Sequence, residues 1–176
     1  MPPPFWAFPW AGGQALARYL LDHPDCVRGR AVLDLASGSG LVAIAAATAG
    51  AASVTPSETD SLALTAITLN AGVNRVRLEP AVGDLLAAPE YSDASAADVV
   101  LAGDAFYDRD MAGLMLPFLE RASQAGALVL VGDPGRAYLP RERFTPVATY
   151  DVPVERVIED TDVKPSTVWR LAPTGS

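Results

Sequence analysis

Cysteine, histidine and lysine occur once each in this 176-residue chain, as Cys26, His23 and Lys164. A single cysteine forms no internal disulfide, and with one histidine it builds no structural zinc site, so no metal is expected. A Ser-His-Asp triad would have to use His23, which stands in "LLDHPD" at an expected helix end and reads as a surface residue. Long apolar runs are missing too. No stretch approaches the roughly 18 uncharged apolar residues of a membrane span. The opening "MPPPFWAFPW" lacks the positive region and smooth apolar stretch of a signal peptide. The expectation is a cytoplasmic protein with no membrane partner. Positive charge is also in short supply: the net charge is −8, and of 13 basic residues all but Lys164 are arginine. That balance disfavours nonspecific nucleic-acid binding and favours a partner with a basic face.

What is present is an alternation of apolar strands and helices. Half of the residues are apolar, enough for one domain over 1–176 with a proper core. An N-terminal aromatic segment and helix occupy 1–30, and the core sheet and helices 31–176. "GGQALARYLLD" puts Leu16, Tyr19 and Leu20 on one helical face, and His23-Pro24 ends it. Ala31–Leu35 makes a first strand, followed by a helix from about Gly40 to Ala49. "AASVTPS" makes a second strand, and the helix Thr59–Ala71 turns Leu62, Ile67 and Leu69 toward the sheet. "VRLEPAVGD" is a third strand, "ADVVLAGD" a fourth and "ALVLVGD" a fifth, with the helix Asp110–Ser123 between the last two. "RFTPVATYDVPV" and "PSTVWRLAP", with no room for a helix between them, pair as an antiparallel hairpin, and "RVIEDTDVK" is an exposed loop. The fold class is therefore α/β: a Rossmann-like, doubly wound sheet, mostly parallel, closed by a C-terminal antiparallel hairpin.

In such sheets ligands bind at the carboxyl ends of the strands. Acids fall at those ends here: Asp34, Glu58, Asp84, Asp104 and Asp133. The turn in "VLDLASGSGLVAIA" spaces Gly38, Gly40 and Ala43 as a dinucleotide fingerprint does, yet Asp34 inside the strand is foreign to that fingerprint. A pyrophosphate would be repelled by Asp34, whereas the ammonium and sulfonium of S-adenosylmethionine would be attracted. A dehydrogenase would also need a substrate domain and a His or Lys acid. Glu58, eighteen positions past Gly40, is placed to accept both hydroxyls of a ribose, and Asp84, with Leu85 beside it, lies on the adenine side. The aromatic lead-in Phe5, Trp6, Phe8 and Trp10 reads either as a lid over the methyl donor, with Trp10 nearest to it, or as a hydrophobic plug. "GDPGR" is a Pro-Gly turn in which Arg136 is free to touch an acceptor, and Trp169 belongs to the core.

Through "VLDLASGSG" the sequence resembles the seven-β-strand methyltransferases. It is similar in particular to the family of lysine methyltransferases of the electron transfer flavoprotein β subunit, over "PPFWAFPWAGGQALARYLLDHPD", "AITLNAGVNR", "VVLAGDAFYDRD", "VLVGDPGR" and "STVWRL". It departs from that family at Ala36, where a glycine is usual, at Pro56-Ser57-Glu58 and in "PWAGG". The resemblance implies the seven-β-strand fold and S-adenosylmethionine held by Asp34, Ala36, Ser37, Gly38, Gly40, Glu58, Asp84, Leu85 and Trp10. It also implies a substrate signature of acid, two residues and an aromatic, here Asp104 to Tyr107, in which Asp104 attracts a lysine ammonium while Tyr107 and Phe106 wall its channel. The implied partner is the flavoprotein β subunit. Another lysine-bearing protein such as a ribosomal protein, a small amine, or a catalytically silent scaffold remain as other readings.

Overall fold

The computed structural model describes residues 4–81, 83–87 and 96–172. Six strands form one sheet: β1 (Ala31–Leu35), β2 (Ser53–Ser57), β3 (Val99–Gly103), β4 (Leu128–Asp133), β5 (Phe144–Pro153) and β6 (Val163–Leu171), in the order β2-β1-β3-β4-β6-β5. The first four are parallel, β6 runs antiparallel to β4, and β5 antiparallel to β6. β1 lies inside the sheet with a core cluster on each face, Val32 in one and Leu33 and Leu35 in the other, which is why its sequence is apolar throughout except for Asp34. The chain leaves β1 toward β2 on one side and returns to β3 on the other, so the strand order reverses beside the carboxyl end of β1.

Side chains alternate between two helical layers, with the period of two that a strand imposes. Val99 and Leu101 of β3 join one cluster with α1 (Ala11–Asp22) and α2 (Leu41–Thr48), through Leu16, Leu20, Val42 and Ala46. Val100 and Ala102 join the other, with Met115, Phe118 and Leu119 of α4 (Arg109–Gln124). The backbone of α1 comes down on the sheet at its glycines. A Cβ on Gly12 would lie 2.8 Å from the carbonyl carbon of Gly132, and one on Gly103 would lie 2.8 Å from Cα of Gly13. No side chain fits in that contact.

Three expectations are corrected. The third expected strand, 76–84, of which Val82 lies outside the described residues, is not a ladder strand. Glu79 N donates to Val54 O (3.0 Å) and Ala81 N to Pro56 O (2.9 Å), but the return bond would have to come from the nitrogen of Pro56, which carries no hydrogen. The segment thus lies along the edge of β2 where a seventh strand would stand, without closing the pattern. In α3 (Ser61–Asn74) the buried stripe is Ala63, Ile67 and Ala71, and Leu62 and Leu69 are exposed. The helix presents its small residues inward, so apolar character alone pointed to the wrong faces. Finally, "RVIEDTDVK" is not simply an exposed loop: it holds the one-turn helix α5 (Arg156–Glu159), and Glu159 is buried because it is neutralised by two cations. Among the described residues, no helix is long and apolar enough to cross a membrane.

Candidate functional site

Asp34 sits one residue from the end of β1, buried between two strands. Its Oδ2 accepts from Ser37 Oγ (2.5 Å) and from the backbone N–H of Ala43 (3.1 Å) in the first turn of α2, while Oδ1 is buried without a hydrogen-bond partner. Burial pushes this carboxyl up to about 7, against the two donors that favour its charge, and the nearby Glu58 adds to the rise. The turn that follows needs left-handed backbone at three positions, Ala36 (φ 49°), Gly38 (57°) and Gly40 (90°). Ala36 takes a conformation that a glycine adopts without cost. Gly38 N donates to Glu58 Oε2 (3.0 Å), and Glu58 Oε1 accepts from Thr59 N (2.7 Å), so the end of β2 is tied to the turn. Trp6 passes over the turn, its carbonyl oxygen 3.2 Å from where a Cβ of Gly38 would stand. Gly40 caps α2 with no side chain of its own, leaving the start of that helix facing the turn.

A second group of charges lies at the ends of β3 and β4. Asp104 adopts left-handed backbone (φ 57°), and its side chain is only 4% exposed. Oδ2 accepts from Gly12 N (2.8 Å) at the start of α1, and Oδ1 from Arg136 Nε (2.6 Å). Asp133 is buried and folds the "GDPGR" turn, its Oδ1 accepting from Gly135 N (2.6 Å) and Arg136 N (2.7 Å). Burial pushes its carboxyl above the usual range, and Oδ2 is buried without a partner. The far side of the Arg136 guanidinium meets Glu159 (3.0 and 3.4 Å), which also receives Lys164 Nζ (2.5 Å). Arg136 lies over the Trp10 ring, 5.6 Å from its centroid. Burial works against its charge, but Asp104 and Glu159 more than offset this and hold its proton tighter than usual.

Tyr107 is 58% exposed. Burial of the rest, followed by the charges of Asp108, Glu58 and Asp104, pushes its hydroxyl up, so it stands within the fields of both groups. Phe106 turns the other way: it is fully buried, edge-on to Phe144 at 6.1 Å, and belongs to the core under α4. Asp108 caps α4, accepting from Asp110 N and Met111 N. Asp84 is exposed and ties its own turn through Leu86 N and Ala87 N, with Leu85 half-buried against the α4 layer. Trp10 donates its indole N–H to Phe5 O (2.8 Å) and leads into α1. The structure therefore brings Asp34, Ala36, Ser37, Gly38, Gly40 and Glu58 together in one neighbourhood, and Asp104, Arg136 and Trp10 in another, with Tyr107 between them. The sequence reading missed Glu159 and Lys164 as members of the second group; their charged loop reads like any solvated one. It also missed the two glycines of "AGG" as a docking surface.

Carboxylates converging at strand ends favour a cation. The fit to S-adenosylmethionine rests on the buried Oδ1 of Asp34, a carboxylate oxygen that no donor of the chain satisfies, and on the left-handed turn at Gly38 and Gly40 that starts α2 beside it. The residues that would hold the cofactor are those, Ser37 and Glu58. Fold and site define a Rossmann-like methyltransferase. In keeping with that, a family model described as ribosomal protein L11 methyltransferase (PrmA) matches residues 15–103. A Pyrococcus abyssi tRNA (uracil-54, C5)-methyltransferase, solved with S-adenosyl-L-homocysteine, superposes with TM-score 0.61 at 18% identity, over 89% of this chain and 38% of that one. The electron transfer flavoprotein beta subunit lysine methyltransferase of Rattus norvegicus is 38% identical over 97% of this chain and 68% of its own length; that of Homo sapiens is 39% identical, over 97% and 66%. The chain belongs to the electron transfer flavoprotein beta subunit lysine methyltransferase family, and spans about two-thirds of the length of these relatives.

Proposed function

We propose that this protein is an S-adenosylmethionine-dependent protein-lysine methyltransferase acting on the β subunit of electron transfer flavoprotein. The observation that carries the reading is Asp104: a carboxylate buried at the end of β3, beside the glycine turn, with Trp10 and Tyr107 near its mouth. The sequence similarity to enzymes named for that activity supports it.

A lysine ammonium has an ordinary pKa of about 10.4, so only roughly one in a thousand is neutral near pH 7, at a cost of about 4 kcal/mol. Asp104 draws the ammonium in and, once a proton has left to solvent, holds the amine by its remaining N–H with the lone pair turned toward the turn. Tyr107 and Trp10 flank the alkyl stem; Phe106, turned into the core against Phe144, takes no part. When bound, S-adenosylmethionine supplies an electrophilic methyl on sulfur. Asp34 would meet its ammonium and Glu58 its ribose hydroxyls. Alignment of amine and methyl is worth up to about 7 to 11 kcal/mol, so positioning offsets the deprotonation cost without a covalent enzyme intermediate.

The test is intact-mass spectrometry of unmethylated flavoprotein incubated with the protein and S-adenosylmethionine. One-methyl mass steps on the β subunit, lost with Asp104→Ala, are expected. The match to the L11 methyltransferase model favours a ribosomal protein as second acceptor, so ribosomes belong in a parallel reaction. Steps there and not on the flavoprotein would move the acceptor; cofactor binding with no transfer to either, or to protein in a lysate, would leave a silent scaffold.

A further inference from the structure

The cation on Asp104 is the protein's own. Arg136 reaches it through one atom, Nε, at 2.6 Å, while its two terminal nitrogens face Glu159 at 3.4 and 3.0 Å. The contact with Asp104 is thus one-point and that with Glu159 two-point. The Arg136 backbone is held independently by Asp133, so the side chain can swing without moving the turn. The guanidinium also lies over the Trp10 ring, with Asp104 and Glu159 on either side. Acid, aromatic face and partial burial are the surroundings a lysine ammonium requires.

We infer that Arg136 is a positioning residue that occupies the seat of the acceptor lysine at Asp104 and withdraws onto Glu159 when that lysine arrives. A carboxylate only 4% exposed needs a counter-charge when no acceptor is bound, and Arg136 supplies it. Exchange is cheap because the arginine drops one bond and keeps its pair on Glu159. Lys164, already on Glu159, shares that carboxylate and leaves Arg136 free to serve both acids. An uncharged side chain competes poorly with Arg136 for a buried carboxylate, so the arrangement also favours an acceptor that arrives charged and loses its proton only after Arg136 has withdrawn. This rests on the methyltransferase reading of the site.

The experiment measures binding of n-butylammonium, a stand-in for a lysine side chain, by NMR titration of the Trp10 indole N–H, together with kcat and KM for the flavoprotein. Arg136→Gln removes the competitor: the probe is expected to bind several-fold tighter, and KM to fall while kcat changes less. Glu159→Gln removes the withdrawn position: binding is expected to weaken and KM to rise several-fold, again with kcat changing less. Arg136→Lys, which keeps the charge but not the fork, should return probe binding toward the wild-type value. A merely structural tie predicts the same direction for Arg136→Gln and Glu159→Gln, through lost folding or lost kcat, and that result would overturn the inference. Should Arg136→Gln fail to fold, unchanged binding in Glu159→Gln overturns it alone. If wild-type protein orders the probe but methylates no protein, the assigned function fails and the seat stands.

Discussion

Asp34 is the residue whose burial ties stability to pH and, under the proposed function, cofactor affinity as well. Its carboxyl is raised to about 7 by burial, so below that pH the folded chain holds a proton that the unfolded chain releases near 3.8. The stabilisation from that proton is complete below about pH 4 and is lost as pH rises through about 7, a swing on the order of 4 kcal/mol from a shift of about three units. Urea midpoints from pH 5 to 8 should show wild type losing stability relative to Asp34→Asn, which carries no titrating group there. The same proton competes with a cationic ligand. The affinity for S-adenosylmethionine should weaken about tenfold for each pH unit below 7, and a flat profile by titration calorimetry would mean that Asp34 does not meet the cation. The position of Asp34 was legible because an acid in an otherwise apolar strand stands out. The partnership of Asp104 with Arg136, and of Arg136 with Glu159, was not: nothing in local spacing pairs side chains 32 and 23 positions apart. The sequence reading makes Phe106 and Tyr107 one wall, but Phe106 is fully buried against Phe144 and only Tyr107 is exposed, a division that their adjacency in sequence does not reveal.

At the scale of elements, the docking of α1 is decided by glycines. Gly12 meets the backbone of Gly132, and its N–H is the one that reaches Asp104. Gly12→Ala should therefore cost about 1 to 3 kcal/mol by overpacking and should lower activity as well. Gly13 is the control: its Cβ would meet nothing closer than Val42 at 3.9 Å, so Gly13→Ala should be neutral or gain up to about 1 kcal/mol in helix propensity. Equal losses in a thermal-unfolding comparison would refute the close contact. The helices themselves were legible, α1 from the His23-Pro24 that ends it and α4 to within a residue at each end. Their faces were harder, as α3 shows, because alanine packs as readily as leucine where a helix lies close. Strand 76–84 was misread for a chemical reason located elsewhere, in the imino nitrogen of Pro56.

For the molecule as a whole, the mostly parallel sheet with its antiparallel C-terminal pair was legible from the alternation of strands and helices, whereas the strand order was not, and the candidate site lies beside the reversal of that order at β1. Charge is the other whole-molecule property. With a net charge of −8, attraction to a basic-faced acceptor should be screened by salt, so KM for the acceptor protein should rise steadily between low and physiological ionic strength while kcat holds. A salt-independent KM would place recognition in the lysine channel alone. The position of β6 bears on synthesis rather than on catalysis. β6 lies between β4 and β5, yet the ribosome makes it after both, and among the described residues β5 has its ladder with β6 alone. While the chain is being made, β5 waits as an unpaired strand with its neighbour's place empty. The Arg136–Glu159–Lys164 ion pairs, whose lysine sits on β6, cannot be complete until β6 has been made, so the acid at the end of β3 gains its full setting only then.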